Sequence, residues 1–312
     1  MVATLDTGAH LHYLDWRPVA RERGSRPPLV MIHGLAQTAW AWAPVARRLA
    51  PLTHVLAVDL RGHGLSDSLR AGYELESLAF DVLTVVTGAG WGEDAAGEPV
   101  VVAGHGLGAM IGATMSALRP ASVKGLALID AGWEEMAQAS GMDAAEYQRT
   151  IGDPPEVLAS MAAYLADRQD FDPPSWDADG ERAARAAVDE RHAGHVVPVT
   201  RQHAMRGAID AMWAYDPVVA ATTPVPVLVA VADSGAADDE ATRERLIALD
   251  DMQRVRAAAA LPPADVARFV GAGHHLMRYR QAELSAALVE LLDRAATGNR
   301  AATSDRAPGG PR

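Results

Sequence analysis

Six short apolar runs, each closed within two residues by glycine or aspartate, leave this chain little choice of architecture. They are Leu29 to Ile32, Val55 to Val58, Val100 to Ala103, Gly125 to Ile129, Val225 to Val231 and Val266 to Val270. A strand with one face in water alternates apolar and polar residues, whereas a continuous run suits a strand covered on both faces. Stretches with helical spacing separate the runs: Pro44 to Leu49, Leu75 to Val86, Leu107 to Leu118, Glu240 to Val255 and Glu283 to Leu292. One run alone could be a buried helical turn. Six in alternation with helices predict an α/β fold, a mostly parallel sheet flanked by helices. Ahead of them, Ala3 to Thr7 and Leu11 to Trp16 read as an antiparallel pair turning at Gly8-Ala9.

The rhythm breaks once. From Trp133 to about Thr222 no clear sheet strand is visible, and Pro154-Pro155 and Pro173-Pro174 punctuate a stretch rich in Ala, Asp, Glu and Arg. Met161, Tyr164, Leu165, Met212 and Trp213 give it apolar side chains to pack, so it reads as an all-helical insertion rather than a linker. The expected division is a core of residues 1–132 and 223–297, a helical cap of residues 133–222, and a disordered tail of residues 298–312.

Composition narrows the function. A net charge of −12 with no basic block argues against nucleic acid and anionic membranes as partners. The absence of cysteine removes disulfides, thiolate metal sites and a cysteine nucleophile together. Lys124 is the single lysine, so Schiff-base chemistry has one candidate. No apolar stretch is long enough to span a bilayer, and Met1 to His10 lack the pattern of a secretory leader. The expectation is a cytoplasmic protein acting on a small molecule.

The most specific stretch is Val100 to Ala113, where a strand runs into Gly104-His105-Gly106-Leu107-Gly108 and then a helix. So sharp a turn leaves no room for a Cβ where backbones touch. Together with Leu29 to Gly34, Asp59-Leu60-Arg61-Gly62-His63-Gly64-Leu65-Ser66 and Gly271-Ala272-Gly273-His274, it resembles the α/β-hydrolase superfamily. These segments are similar, in order, to the nucleophile elbow, oxyanion loop, D-x-R-G-x-G-x-S segment and catalytic-histidine turn of that family. The resemblance implies an α/β-hydrolase-like core with a cap.

It also implies roles. Gly106 stands at the nucleophile position, where the family carries Ser, Cys or Asp, so no covalent intermediate can form there. His274 is the candidate base, and Asp130 or Asp233 the candidate acid that orients it, with Asp238 a further possibility if the loop is shifted. Gly235 occupies the place where the acid is expected after the cap. The N–H groups of Leu35 and Leu107 would form an oxyanion hole, and His33, Gly34, His105 and Trp133 would line the pocket. No metal or cofactor is expected: His192 and His195 lack a third ligand at a metal-like spacing, and the glycines match neither a phosphate loop nor a dinucleotide motif.

Two functions fit. One is a cofactor-independent, non-covalent enzyme (a lyase, isomerase, cyclase or water-activating hydrolase) on a small, mainly apolar carbonyl compound. The other is an inactive homologue that keeps the cleft for a ligand or partner.

Overall fold

The computed structural model describes residues 1–18, 26–151, 160–171, 173, 176–192, 195–235 and 240–304. The core begins with β1 (Val2–Thr4), β2 (His10–Trp16) and β3 (Leu29–Ile32). Then come α1 (Ala43–Leu49), β4 (Val55–Val58), α2 (Leu75–Gly88), β5 (Val100–His105), α3 (Leu107–Leu118) and β6 (Val123–Ile129). The inserted segment carries α4 (Met136–Ser140), α5 (Ala144–Ile151), α6 (Met161–Phe171), α7 (Ala178–Ala186), β7 (Val188–His192), β8 (His195–Pro198), α8 (Gln202–Trp213) and α9 (Val218–Ala221). The chain returns to the core through β9 (Val227–Asp233), α10 (Glu240–Ala258), β10 (Asp265–Val270), α11 (Leu276–Tyr279) and α12 (Gln281–Ser304).

Eight strands form one sheet in the order β1-β2-β4-β3-β5-β6-β9-β10. β2 is antiparallel to β1 and β4, and every other neighbouring pair is parallel. The apolar runs are continuous because successive side chains feed two different cores. Val30, Ile32, Val100 and Val102 pack with α2 and α3, whereas Leu29, Met31, Val101 and Ala103 pack with α1 and α12.

Two expectations need correction. The inserted segment is not helical throughout, since β7 and β8 pair as an antiparallel hairpin. Val188, Val196 and Val197 are buried there, and β-branched residues favour extended backbone even within a charged, Ala-rich sequence. The second correction concerns the tail: α12 runs on to Ser304, past Gly298, because Ala301 and Ala302 continue the helix readily. Residues 305–312 and Pro154-Pro155 lie outside the described residues.

The segment after β4 anchors the loop after β3. Asp59 is fully buried, and its carboxylate accepts from His12 Nδ1 at 2.7 Å, the Ala39 N–H at 2.6 Å and the Leu65 N–H at 3.0 Å. Burial alone would raise its pKa, but the His12 hydrogen bond, the His33 ring and the two N–H donors hold it below the ordinary value. A lowered carboxylate pKa stabilises the fold above the unfolded-state pKa, near 3.9, and the benefit fades as pH falls through the folded value. Asp59→Asn is therefore expected to cost about 1–3 kcal/mol at neutral pH. Urea titrations of both proteins should show the gap closing as the solution is acidified below about pH 4.

Candidate active site

The candidate residues converge at the carboxyl ends of the parallel strands, where open α/β sheets build their crevices. β3 delivers His33-Gly34-Leu35, β5 delivers Gly106, β6 delivers Asp130, and the turn after β10 delivers His274. Gly106 has φ 54° and ψ −122°, a conformation that glycine adopts without strain. Its neighbours must also be glycine: a Cβ on Gly104 would lie 2.0 Å from the Gly108 carbonyl, and one on Gly108 would lie 2.3 Å from that of Ile32. At Gly106 the situation is the opposite. A Cβ there would sit 3.6 Å from His274 Nε2 and 3.6 Å from Gly34 Cα, ordinary contacts in an open space.

The other ring nitrogen of His274 decides between the candidate acids. Nδ1 lies 2.6 Å from Asp130 Oδ2, and the imidazole is half exposed while the carboxylate is buried. Asp233 is directed elsewhere: it accepts from Arg268 at 2.6 Å and from the Gly235 N–H at 2.8 Å. The structure thus pairs His274 with Asp130 and not with Asp233. Asp238 lies outside the described residues, as do residues 193–194 and the side chains of His192 and His195. Among the described residues, no cluster of His, Asp or Glu is arranged to hold a metal ion.

Two residues absent from the sequence reading complete the acid. Arg245 Nη2 donates to Asp130 Oδ1 at 2.7 Å, and its Nε donates to Glu134 Oε1 at 3.3 Å. Trp133 is buried beneath this cation, its ring centroid 4.8 Å from the guanidinium and its Nε1–H donating to the Arg245 carbonyl. Burial pushes the Glu134 carboxyl up, against the pull of Arg245. Nothing in the sequence pointed to Arg245, which reaches the site from α10.

The loop after β3 is held by neutral imidazoles. His33 donates from Nδ1 to the Gly34 carbonyl at 2.8 Å and accepts the Leu60 N–H at Nε2, 3.0 Å. His63 likewise donates to the Arg61 carbonyl and accepts the Ala36 N–H at 3.2 Å. Burial lowers the pKa of both, that of His63 to about 3, so each keeps the lone pair it uses. His105 is buried below His274, Nε2–H donating to its carbonyl at 2.9 Å, and burial keeps this ring neutral too. Among the described residues, the N–H groups of Leu35 and Leu107 have no hydrogen-bond acceptor.

A cavity of about 220 Å³ opens beside this cluster, lined by Gln37, Thr38 and His275 of the core and by residues of α6 and α7. Trp176 lines it, and Trp133 lines another cavity with Glu134. His33 and His105 are buried.

With this geometry, the family assignment is direct. The alpha/beta hydrolase family model matches residues 29–287. The chain belongs to that family. A 2-(acetamidomethylene)succinate hydrolase of Mesorhizobium japonicum is 32% identical over 149 residues, 47% of this chain and 51% of the relative. An (E)-2-((N-methylformamido)methylene)succinate hydrolase of Acinetobacter baylyi is 33% identical over 109 residues, 35% of this chain and 39% of the relative. The chain thus matches about half or less of these curated relatives. Over nearly full length, the crystal structure of E-2-(acetamidomethylene)succinate hydrolase matches with a TM-score of 0.72 at 24% identity, covering 94% of this chain and 99% of that one. The enol-lactonase of Burkholderia xenovorans matches with a TM-score of 0.61 at 20% identity, over 94% and 100% of the two chains. At such identities the likeness is one of fold. No helix among the described residues is long and apolar enough to cross a membrane.

Arg245 provides a test of the site's electrostatics. Arg245→Met leaves Asp130 and Glu134 buried without their cation, with an expected loss of about 3–5 kcal/mol at pH 7. Denaturation at decreasing pH should show this loss shrinking as Glu134, already poised to protonate by its burial, becomes neutral.

Proposed function

We propose that this member of the alpha/beta hydrolase family is a non-covalent enzyme in which His274 acts as a general base on a small carbonyl compound. The reading is carried by the 2.6 Å contact between His274 Nδ1 and Asp130, on the opposite side of the ring from the nitrogen that faces Gly106. A carboxylate on Nδ1–H fixes the tautomer whose Nε2 can accept a proton, and it stabilises the imidazolium that results. In this reading Asp233 only shapes its own loop.

In the hydrolytic form of the chemistry, a water above Gly106 gives its proton to His274 Nε2 as its oxygen bonds to the carbonyl carbon. The carbonyl electron pair moves to oxygen, where the N–H groups of Leu35 and Leu107 hold the charge. Collapse breaks the bond to the leaving nitrogen or oxygen, which takes the proton back from His274. Residue 106 forms no bond at any stage, and no cofactor is called upon. With a substrate carrying an acidic proton, the same base would instead begin a lyase, isomerase or cyclase reaction. The names of the Mesorhizobium and Acinetobacter relatives, both hydrolases, favour the first form. The alanines, Tyr164 and Trp176 of the neighbouring cavity suit the apolar part of such a molecule.

The bare backbone at Gly106 favours one other reading, an inactive homologue that binds a ligand in the cleft. Turnover of p-nitrophenyl acetate separates the two. The enzyme reading expects slow turnover with no burst and no mass adduct in quenched samples, and a loss of about 10²–10⁴-fold in kcat/KM for His274→Ala. Turnover unaffected by that substitution would leave the inactive reading standing.

Gly106→Ser tests the elbow itself. The open space beside His274 admits the side chain, while the positive φ should cost about 1–3 kcal/mol of stability. Mass spectrometry is expected to find a fluorophosphonate adduct on Ser at this position and none on the wild-type chain.

A further inference from the structure

We propose that the cavity between the turn after β3 and helices α6 and α7 is a carboxylate subsite. It would hold the non-reacting end of the substrate. Only that orientation rests on the reading of His274 as base; the binding claim does not.

Thr38 supplies the first observation. It is 2% exposed, lines the cavity, and its Oγ1 has no hydrogen-bond partner among the described residues. Threonine at a helix N-cap ordinarily turns its hydroxyl onto the following N–H groups. Here Thr38 caps the 3-10 turn Ala39–Trp42, yet its side chain makes no capping bond. A buried hydroxyl without a partner is destabilising. Such a group is accounted for when a ligand oxygen completes it.

Charge supplies the second. In a chain of net charge −12, the described residues that line the cavity include Arg168 and Arg278 and no carboxylate. Both cations touch exposed acids outside the lining: Arg168 bonds Asp167 at 2.7 Å, and Arg278 lies 3.5 Å from Asp177. A guanidinium offers five N–H donors in a fork suited to carboxylate oxygens, so each can serve both neighbours. Ala183, Ala184, Ala187 and Trp176 complete an apolar wall, which fits a carboxylate on a short hydrocarbon body.

Position supplies the third. The same loop that offers Thr38 also carries Leu35, and Gln37 Oε1 accepts the Gly34 N–H at 2.9 Å. His275 follows His274 directly and lines the cavity. The subsite therefore borders the segments that carry Leu35 and His274.

Isothermal titration with hexanoate and its neutral isostere hexanamide tests the subsite without any turnover. Hexanoate should bind the wild-type chain and hexanamide should not. Thr38→Val is expected to weaken hexanoate by about 10-fold or more, while its melting temperature stays level or rises. Thr38→Ser, which restores the hydroxyl, should bind as wild type. Arg168→Gln alters an exposed side chain and is the second variant should Thr38→Val fold poorly; it too should weaken hexanoate. Equal binding of hexanoate and hexanamide, or full hexanoate affinity in Thr38→Val or in Arg168→Gln, overturns the proposal. Binding is expected to survive in His274→Ala. A failure of the base therefore shows in turnover alone, and a failure of the subsite in hexanoate discrimination alone.

Discussion

The site depends on how one carboxylate is held. Asp130 ends β6 with φ 55°, a left-handed conformation that aspartate tolerates better than most residues. Its Oδ1 accepts the Ala232 N–H and the Arg245 guanidinium, each at 2.7 Å, leaving Oδ2 for His274. Two donors on one oxygen fix the plane of the carboxylate, and the plane of the carboxylate fixes the imidazole. Strain at such a position costs about 1–3 kcal/mol, and the charged hydrogen bonds are of the right size to offset it.

A second constraint sets the opposite wall. The loop carrying Leu35 owes its shape to side chains that use both a donor and an acceptor nitrogen. His33 and His63 can do this only while uncharged, and their burial enforces the neutral form. The fully buried Asp59 ties the same loop to β4 through the Ala39 N–H. What the architecture leaves open is the space over Gly106, bounded by His274 and Gly34.

Much of the fold was legible because the hydrophobic effect writes itself as a pattern. β3, β4 and α3 occupy the residues expected of them, since apolar runs and glycines mark where backbone must be covered or closely packed. Where the pattern was weak, reading faltered. The β7–β8 hairpin hid in a charged stretch, and α12 continued where composition suggested disorder. Within the site, His274 and Gly106 could be named from their turns, but the acid could not be chosen, because Asp130 and Asp233 each end a strand of the same sheet.

The sequence alone determined the layered α/β class and the absence of a side chain at position 106, because the first is a periodicity and the second an identity. Tertiary structure decided which aspartate meets His274. It brought Arg245 from α10 and left the Thr38 hydroxyl without a capping bond to its own helix. These are matters of distance between residues far apart along the chain, and a hydrogen bond between them depends on strand register and helix packing, which no local spacing encodes.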